Sequence, residues 1–229
     1  MDNLLVPPPS LVAPAPWHLT GKGLIFLYHF PKTFNQQFGF LDEYQQQGYR
    51  GGIGAVILAS YKTSGVGAYQ ELMYLPGLVE VGGKLGFSIS KIYVSTYSSV
   101  WNGRENWGIP KEKADFSVLQ SADGSLTYQV RSAENTFFSA RVKPWGPKLP
   151  VTTALLPLTR LVQQLRHQFR WTNIQATGAV QLASAIAVSA QGSFFPPVQQ
   201  LKPLLVLSVP NFRMTFPVAR VLPVRGREA

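Results

Sequence analysis

The chain has 229 residues, 45% hydrophobic and only 14% charged, which supplies a sizeable core and excludes a disordered polymer. Lysine and arginine number 21 against 11 acids, a net charge of +10. The basic residues are scattered and show no recognition motif, which argues against a nucleic-acid binder. No cysteine is present, which excludes disulfides, thiolate metal sites and cysteine nucleophiles and fits a reducing, cytoplasmic setting. His18, His29 and His167 lack metal-ligand spacing, so no metal is expected, and no apolar run is long enough to predict a membrane span.

Residues 1–16 hold five of the 18 prolines and read as an extended arm laid on the body or on a neighbouring subunit. Residues 17–229 form one domain in this reading. Short β-like runs follow at 23–30, 53–61, 84–94, 114–120, 125–132, 136–142, 176–190, 204–210 and 212–216, punctuated by glycine and proline. Asp123-Gly124 supplies the positive-φ positions of a hairpin, and Leu126, Tyr128 and Val130 alternate onto one face. Helix is scarce: 31–38 and 41–47 predict a short helix or two. Residues 158–169 have apolar side chains at helical spacing, although a strand that continues the sheet fits as well. The predicted fold is mainly β (α+β), an antiparallel barrel enclosing a cavity.

Two segments carry chemistry. Residues 102–116 (N-G-R-E-N-W-G-I-P-K-E-K-A-D-F) place Lys111 after a proline, in a predicted turn walled by Trp107, Ile109 and Phe116, with Arg104 and Glu105 upstream. Residues 63–72 (T-S-G-V-G-A-Y-Q-E-L) carry Glu71, and strand alternation puts Tyr69 on the same face. A lysine that acts as a nucleophile must be a free amine, and desolvation favours that form. The alternative for each residue is ordinary: a solvated turn lysine, and a glutamate at a strand end.

These two segments resemble acetoacetate decarboxylase and its superfamily. The resemblance implies that Lys111 forms a Schiff base with a keto acid or related carbonyl substrate and that Glu71 orients or protonates it. Tyr69, Arg104 and Glu105 would bind substrate. Activation of a lysine in this family is itself a known example of the effect. Lys22 falls where the resemblance implies an arginine facing the substrate carboxylate, and lysine lacks the bidentate fork. Glu112 replaces a second lysine, and Val56 stands where a second cavity glutamate is expected. No cofactor is implied, and the family forms symmetric homo-oligomers. The stretch from 48 to 61, with A-Y-Q-E-L and G-R-E-N-W-G-I-P, also resembles the plant neoxanthin-deficient branch, which lacks the lysine. The two readings are therefore a cofactor-independent lyase and a non-catalytic protein holding an apolar, isoprenoid- or carotenoid-type ligand.

Overall fold

Strand alternation organises the molecule, because both faces of one long sheet are apolar and each covers a different core. In a computed structural model describing residues 8–223, the chain runs through β1 (Trp17–His29), α1 (Lys32–Phe38), α2 (Glu43–Gly48), β2 (Tyr49–Gly51), β3 (Ile53–Thr63), β4 (Tyr69–Leu75) and β5 (Leu78–Val81). It continues through β6 (Lys84–Phe87), β7 (Lys91–Val94), α3 (Tyr97–Trp107), β8 (Lys111–Lys113), β9 (Asp115–Gln120), β10 (Leu126–Ser132) and β11 (Asn135–Thr152). The last elements are β12 (Arg160–Leu165), β13 (Gln168–Asn173), β14 (Gln175–Ala190), β15 (Leu205–Phe216) and β16 (Arg220–Pro223). Residues 1–7 of the arm and residues 224–229 lie outside the described residues.

The larger sheet has ten strands in the order β8-β7-β4-β3-β1-β15-β14-β11-β10-β9 and curls into a nearly closed barrel. All its pairs are antiparallel except β7–β8. A six-stranded sheet, β16-β13-β12-β6-β5-β2, packs beside it. Leu24, Phe26 and Tyr28 of β1 join Val56, Leu58, Leu72, Tyr74 and Tyr128 in one buried cluster. The opposite face contributes Leu19, Ala59, Tyr61 and Tyr69 to a second cluster with Trp107, Ile109 and Leu161. The fold is the mainly β, barrel-like class expected from the alternating runs.

Three local expectations need correction, and one open choice is decided. Lys111, expected in a turn, opens strand β8, and the residues before it, Tyr97–Trp107, are α3. This helix is built from poor helix formers and depends on its ends: the Thr96 side chain accepts the Ser99 N–H at 3.3 Å, and Gly108 closes it at φ 71°. Residues 84–94 are two strands, β6 and β7, in different sheets. Of the readings left open for residues 158–169, the strand holds: β12 and β13 form a hairpin whose turn has Arg166 and His167 at φ 50° and 59°. Burying Leu161 and Val162 while pairing β13 with β16 outweighs the helical spacing. Finally, 204–210 and 212–216 are one strand, β15, with register shifts opposite β1 and β14.

The described part of the arm lies on its own α3. Asn102 accepts the Ala13 N–H at 2.7 Å and donates to Leu11 O at 2.9 Å. Asn106, one turn on, donates to Ala13 O at 2.9 Å and accepts the Ala15 N–H at 3.3 Å. Two asparagines at i and i+4 thus hold an extended strand of chain along the helix that faces the site.

Candidate active site

β3, β4, β7 and β8 bring the chemistry together because they are neighbours in the sheet. Tyr69, Glu71 and Met73 alternate onto one face of β4, as Ala59 and Tyr61 do on β3. β8 then runs parallel to β7 and sets Lys111 opposite Ile92. The Lys111 and Glu71 side chains are each 4% exposed, and Lys111 Nζ lies 2.9 Å from Glu71 Oε2. The ammonium also donates to Ser99 Oγ at 3.1 Å and approaches Tyr69 OH at 3.4 Å. It sits 4.9 Å from the centre of the Tyr69 ring. Tyr61 OH donates to the other carboxylate oxygen, Oε1, at 3.0 Å.

The two tyrosines are held neutral. Burial, reinforced by the Glu71 carboxylate, pushes both phenols well above their ordinary value. Each therefore stays a hydrogen-bond donor beside the pair. α3 supports the lysine from the other side. A Cβ on Gly103 would lie 2.6 Å from Lys111 Cδ, so glycine is what lets the stem cross the helix. Arg104 Nε donates to the Lys111 backbone carbonyl at 2.8 Å.

The pair opens into a cavity of about 690 Å³ whose walls are overwhelmingly aliphatic and aromatic. Trp107 and Ile109 line it, as their place near Lys111 predicted, but Phe116 packs against the opposite core. Lys22 is exposed and lines an open groove with Lys62 and Arg213, which shares Tyr61 and Phe212 with the cavity, but Lys22 itself does not line the cavity. It sits where the register of β1 against β15 shifts, between Gly21 and Gly23. Val56 faces the opposite core, buried against Phe26 and Tyr74. Glu105 pairs with Arg166 at 2.7 Å, and Glu112 turns outward to Lys91 at 2.6 Å. Arg104 reaches the lysine backbone rather than the cavity. Lys22, Arg104 and Glu105 are thus not brought to the Lys111 amine, whereas Tyr69 and Glu71 are.

Sequence reasoning missed Ser99 and Tyr61. Ser99 was invisible because α3 was not expected. Tyr61 was legible in principle: it closes an alternating run and pairs directly with Tyr69 across β3–β4. Among the described residues no three His, Asp or Glu side chains cluster as a metal set, and no helix is long and apolar enough to cross a membrane.

The fold is shared with solved enzymes at low identity. An enduracididine biosynthesis enzyme, MppR, matches with a TM-score of 0.70 at 15% identity, covering 94% of this chain and 91% of that one. Acetoacetate decarboxylase from Legionella pneumophila matches with a TM-score of 0.70 at 15% identity, covering 96% and 92%. An acetoacetate decarboxylase-like enzyme from Sphingomonas wittichii matches with a TM-score of 0.67 at 12% identity, covering 98% and 99%. No curated protein sequence matches the chain. Residues 47–219 match the family described as acetoacetate decarboxylase (ADC), and with most of its length inside that match the chain belongs to the acetoacetate decarboxylase family.

Proposed function

We propose that the protein is a cofactor-independent lyase that binds its carbonyl substrate as a Schiff base on Lys111. The observation that carries this reading is a lysine 3% exposed, at the wall of an apolar cavity, with a carboxylate 2.9 Å from its amine. Such a carboxylate is placed to take the ammonium proton and free the nucleophile. Nζ then adds to the carbonyl carbon, and loss of water leaves a protonated imine. Its positive nitrogen draws the electron pair of the adjacent bond as that bond breaks: the carbon–carbon bond in decarboxylation or retro-aldol cleavage, or the α carbon–hydrogen bond in a dehydration, where the enamine so formed then expels the neighbouring hydroxyl as water. Glu71 returns a proton to the enamine carbon, and water releases the product and restores the amine. Ser99 and Tyr69 fix the amine, and Tyr61 fixes the carboxylate, so the two stay aligned without water.

The comparison with MppR supports carbonyl chemistry in this fold. That enzyme is known complexed with pyruvate and with the condensation product of pyruvate and imidazole 4-carboxaldehyde. The substrate of the present chain ranges, on this reading, from a keto acid to an uncharged ketone or aldehyde.

Reductive trapping tests the reading. Incubation with carbonyl compounds and cyanoborohydride should add one substrate mass at Lys111, located by peptide mapping. Lys111→Arg should lose the label while keeping the fold, because arginine is not deprotonated in proteins. If the label appears undiminished in Lys111→Arg, another lysine is the nucleophile. If no carbonyl labels the parent, a purely ligand-binding role is the better account.

A further inference from the structure

The cavity is built for more than a small acid. Among the described residues that line it, Lys111 is the sole cation and Glu71 the sole anion, and these two face each other at 2.9 Å. A substrate carboxylate would enter this space with no counter-ion of its own and beside Glu71. Burying a charge without a partner is strongly unfavourable. Neither cation that the sequence offered for that partner lines the cavity: Lys22 lies in the open groove, and Arg104 donates to the Lys111 backbone carbonyl.

The apolar wall is also continuous and directional. Lys111 is paired with Ile92, Ile92 with Met73, Met73 with Ile57, Ile57 with Ile25, and Ile25 with Leu207. All six line the cavity, so direct cross-strand pairing lays them in one row on one face. Five interstrand steps of ~4.8 Å carry the row ~24 Å along the curved sheet, away from the amine. Leu155 and Leu156 also line the cavity yet are 83% and 58% exposed, which makes them an apolar rim open to the outside.

We propose that the substrate of Lys111 is an uncharged ketone or aldehyde borne at one end of an extended apolar chain, with the chain laid along the row from Ile92 to Leu207. The proposal rests on the imine reading above and specifies its substrate. The amine adds to the carbonyl carbon, its two hydrogens leave with the carbonyl oxygen as water, and a carbon–nitrogen double bond remains. The tail contributes by burial alone, each methylene along the row strengthening capture.

The test uses the full chain and a series of methyl ketones with cyanoborohydride. The readout is the concentration that gives half-maximal labelling of Lys111. It should fall at least about tenfold from butanone to methyl nonyl ketone. Levulinate should label no better than methyl propyl ketone. The analogue of methyl nonyl ketone with a carboxylate on its far end should need at least about tenfold more than the uncharged compound. Leu207→Trp, which fills the far end of the row, should weaken labelling by methyl pentadecyl ketone, whose tail is long enough to reach it, and leave butanone unchanged. If keto acids label Lys111 at lower concentration than methyl nonyl ketone, the substrate proposal is overturned and the imine reading stands. The same holds if Leu207→Trp affects both ketones alike. If no carbonyl compound labels Lys111, both fall.

Discussion

Glu71 Oε2 lies 2.9 Å from Lys111 Nζ, although the two residues are forty positions apart and reach each other only across β4, β7 and β8. A pair this buried is expensive to break and cheap to replace. Glu71→Ala should destabilise the protein by about 3–5 kcal/mol, because it strands the lysine without its partner. The double variant Lys111→Met with Glu71→Gln should recover most of that loss, since the Gln side chain still accepts from Tyr61. Urea unfolding of the parent, the singles and the double gives the coupling directly. Glu71→Gln alone should still allow trapping, at a lower rate, and should slow turnover, as expected of a proton-transfer group.

Gly103→Ala should disable the site while sparing the fold. The added methyl would stand 2.6 Å from Lys111 Cδ and 2.8 Å from Cε. These are atoms of a flexible stem, so the lysine moves rather than the helix, and its amine leaves the Glu71 carboxylate. The labelling rate of Lys111 should fall by about tenfold or more, since misplacement of a reacting group by about 1 Å has that scale of effect. Circular dichroism should be unchanged, because alanine is the better helix former. An undiminished labelling rate would show that the stem does not need the glycine.

The arm should matter to the site through α3. Asn102 exchanges hydrogen bonds with Ala13 and Leu11 and also donates to Ser98 O at 2.9 Å. Asn102→Ala leaves buried backbone groups of the arm unpaired and should cost roughly 1–3 kcal/mol. Thermal unfolding measures that loss. Hydrogen exchange should show the amide of Ala13 losing protection first.

The protein should lose stability in alkali. Burial raises the phenol of Tyr28 to about 12 and holds those of Tyr61 and Tyr69 well above the ordinary value. For a group raised on folding, the stability is fully present below the unfolded pKa, near ~10 for tyrosine, and is lost as pH rises toward the folded value. Urea midpoints should therefore be level at neutral pH as far as these tyrosines decide it, and should fall above pH ~10. Tyrosinate absorbance should appear together with unfolding rather than before it.

The local signals in the chain were sufficient wherever a few neighbouring residues decide the outcome. Asp123-Gly124 marks a hairpin because a glycine can take φ 79° freely, and the Leu126, Tyr128 and Val130 alternation names its buried face. Glu71 beside Tyr69 stood out as a charge in apolar company, whereas Lys111 after Pro110 reads locally as a solvated lysine and was singled out by the resemblance that its G-R-E frame carries; the structure buries both. The mainly β class followed from the same alternation. Tertiary structure alone decided the rest. Residues 158–169 match a helix by spacing, but β13 finds β16 as a partner only once the second sheet exists. α3 has little intrinsic propensity and is held by an arm some ninety residues away, through Asn102 and Asn106. Lys22 and Val56 stood where the resemblance implies cavity residues, yet Val56 has the strand parity that belongs to the other core, and Lys22 sits exposed at a register shift of β1. The apolar row from Lys111 to Leu207 crosses six strands distant in sequence. Its continuity is a property of register, which hydrogen-bonded pairing sets in three dimensions and no local pattern encodes.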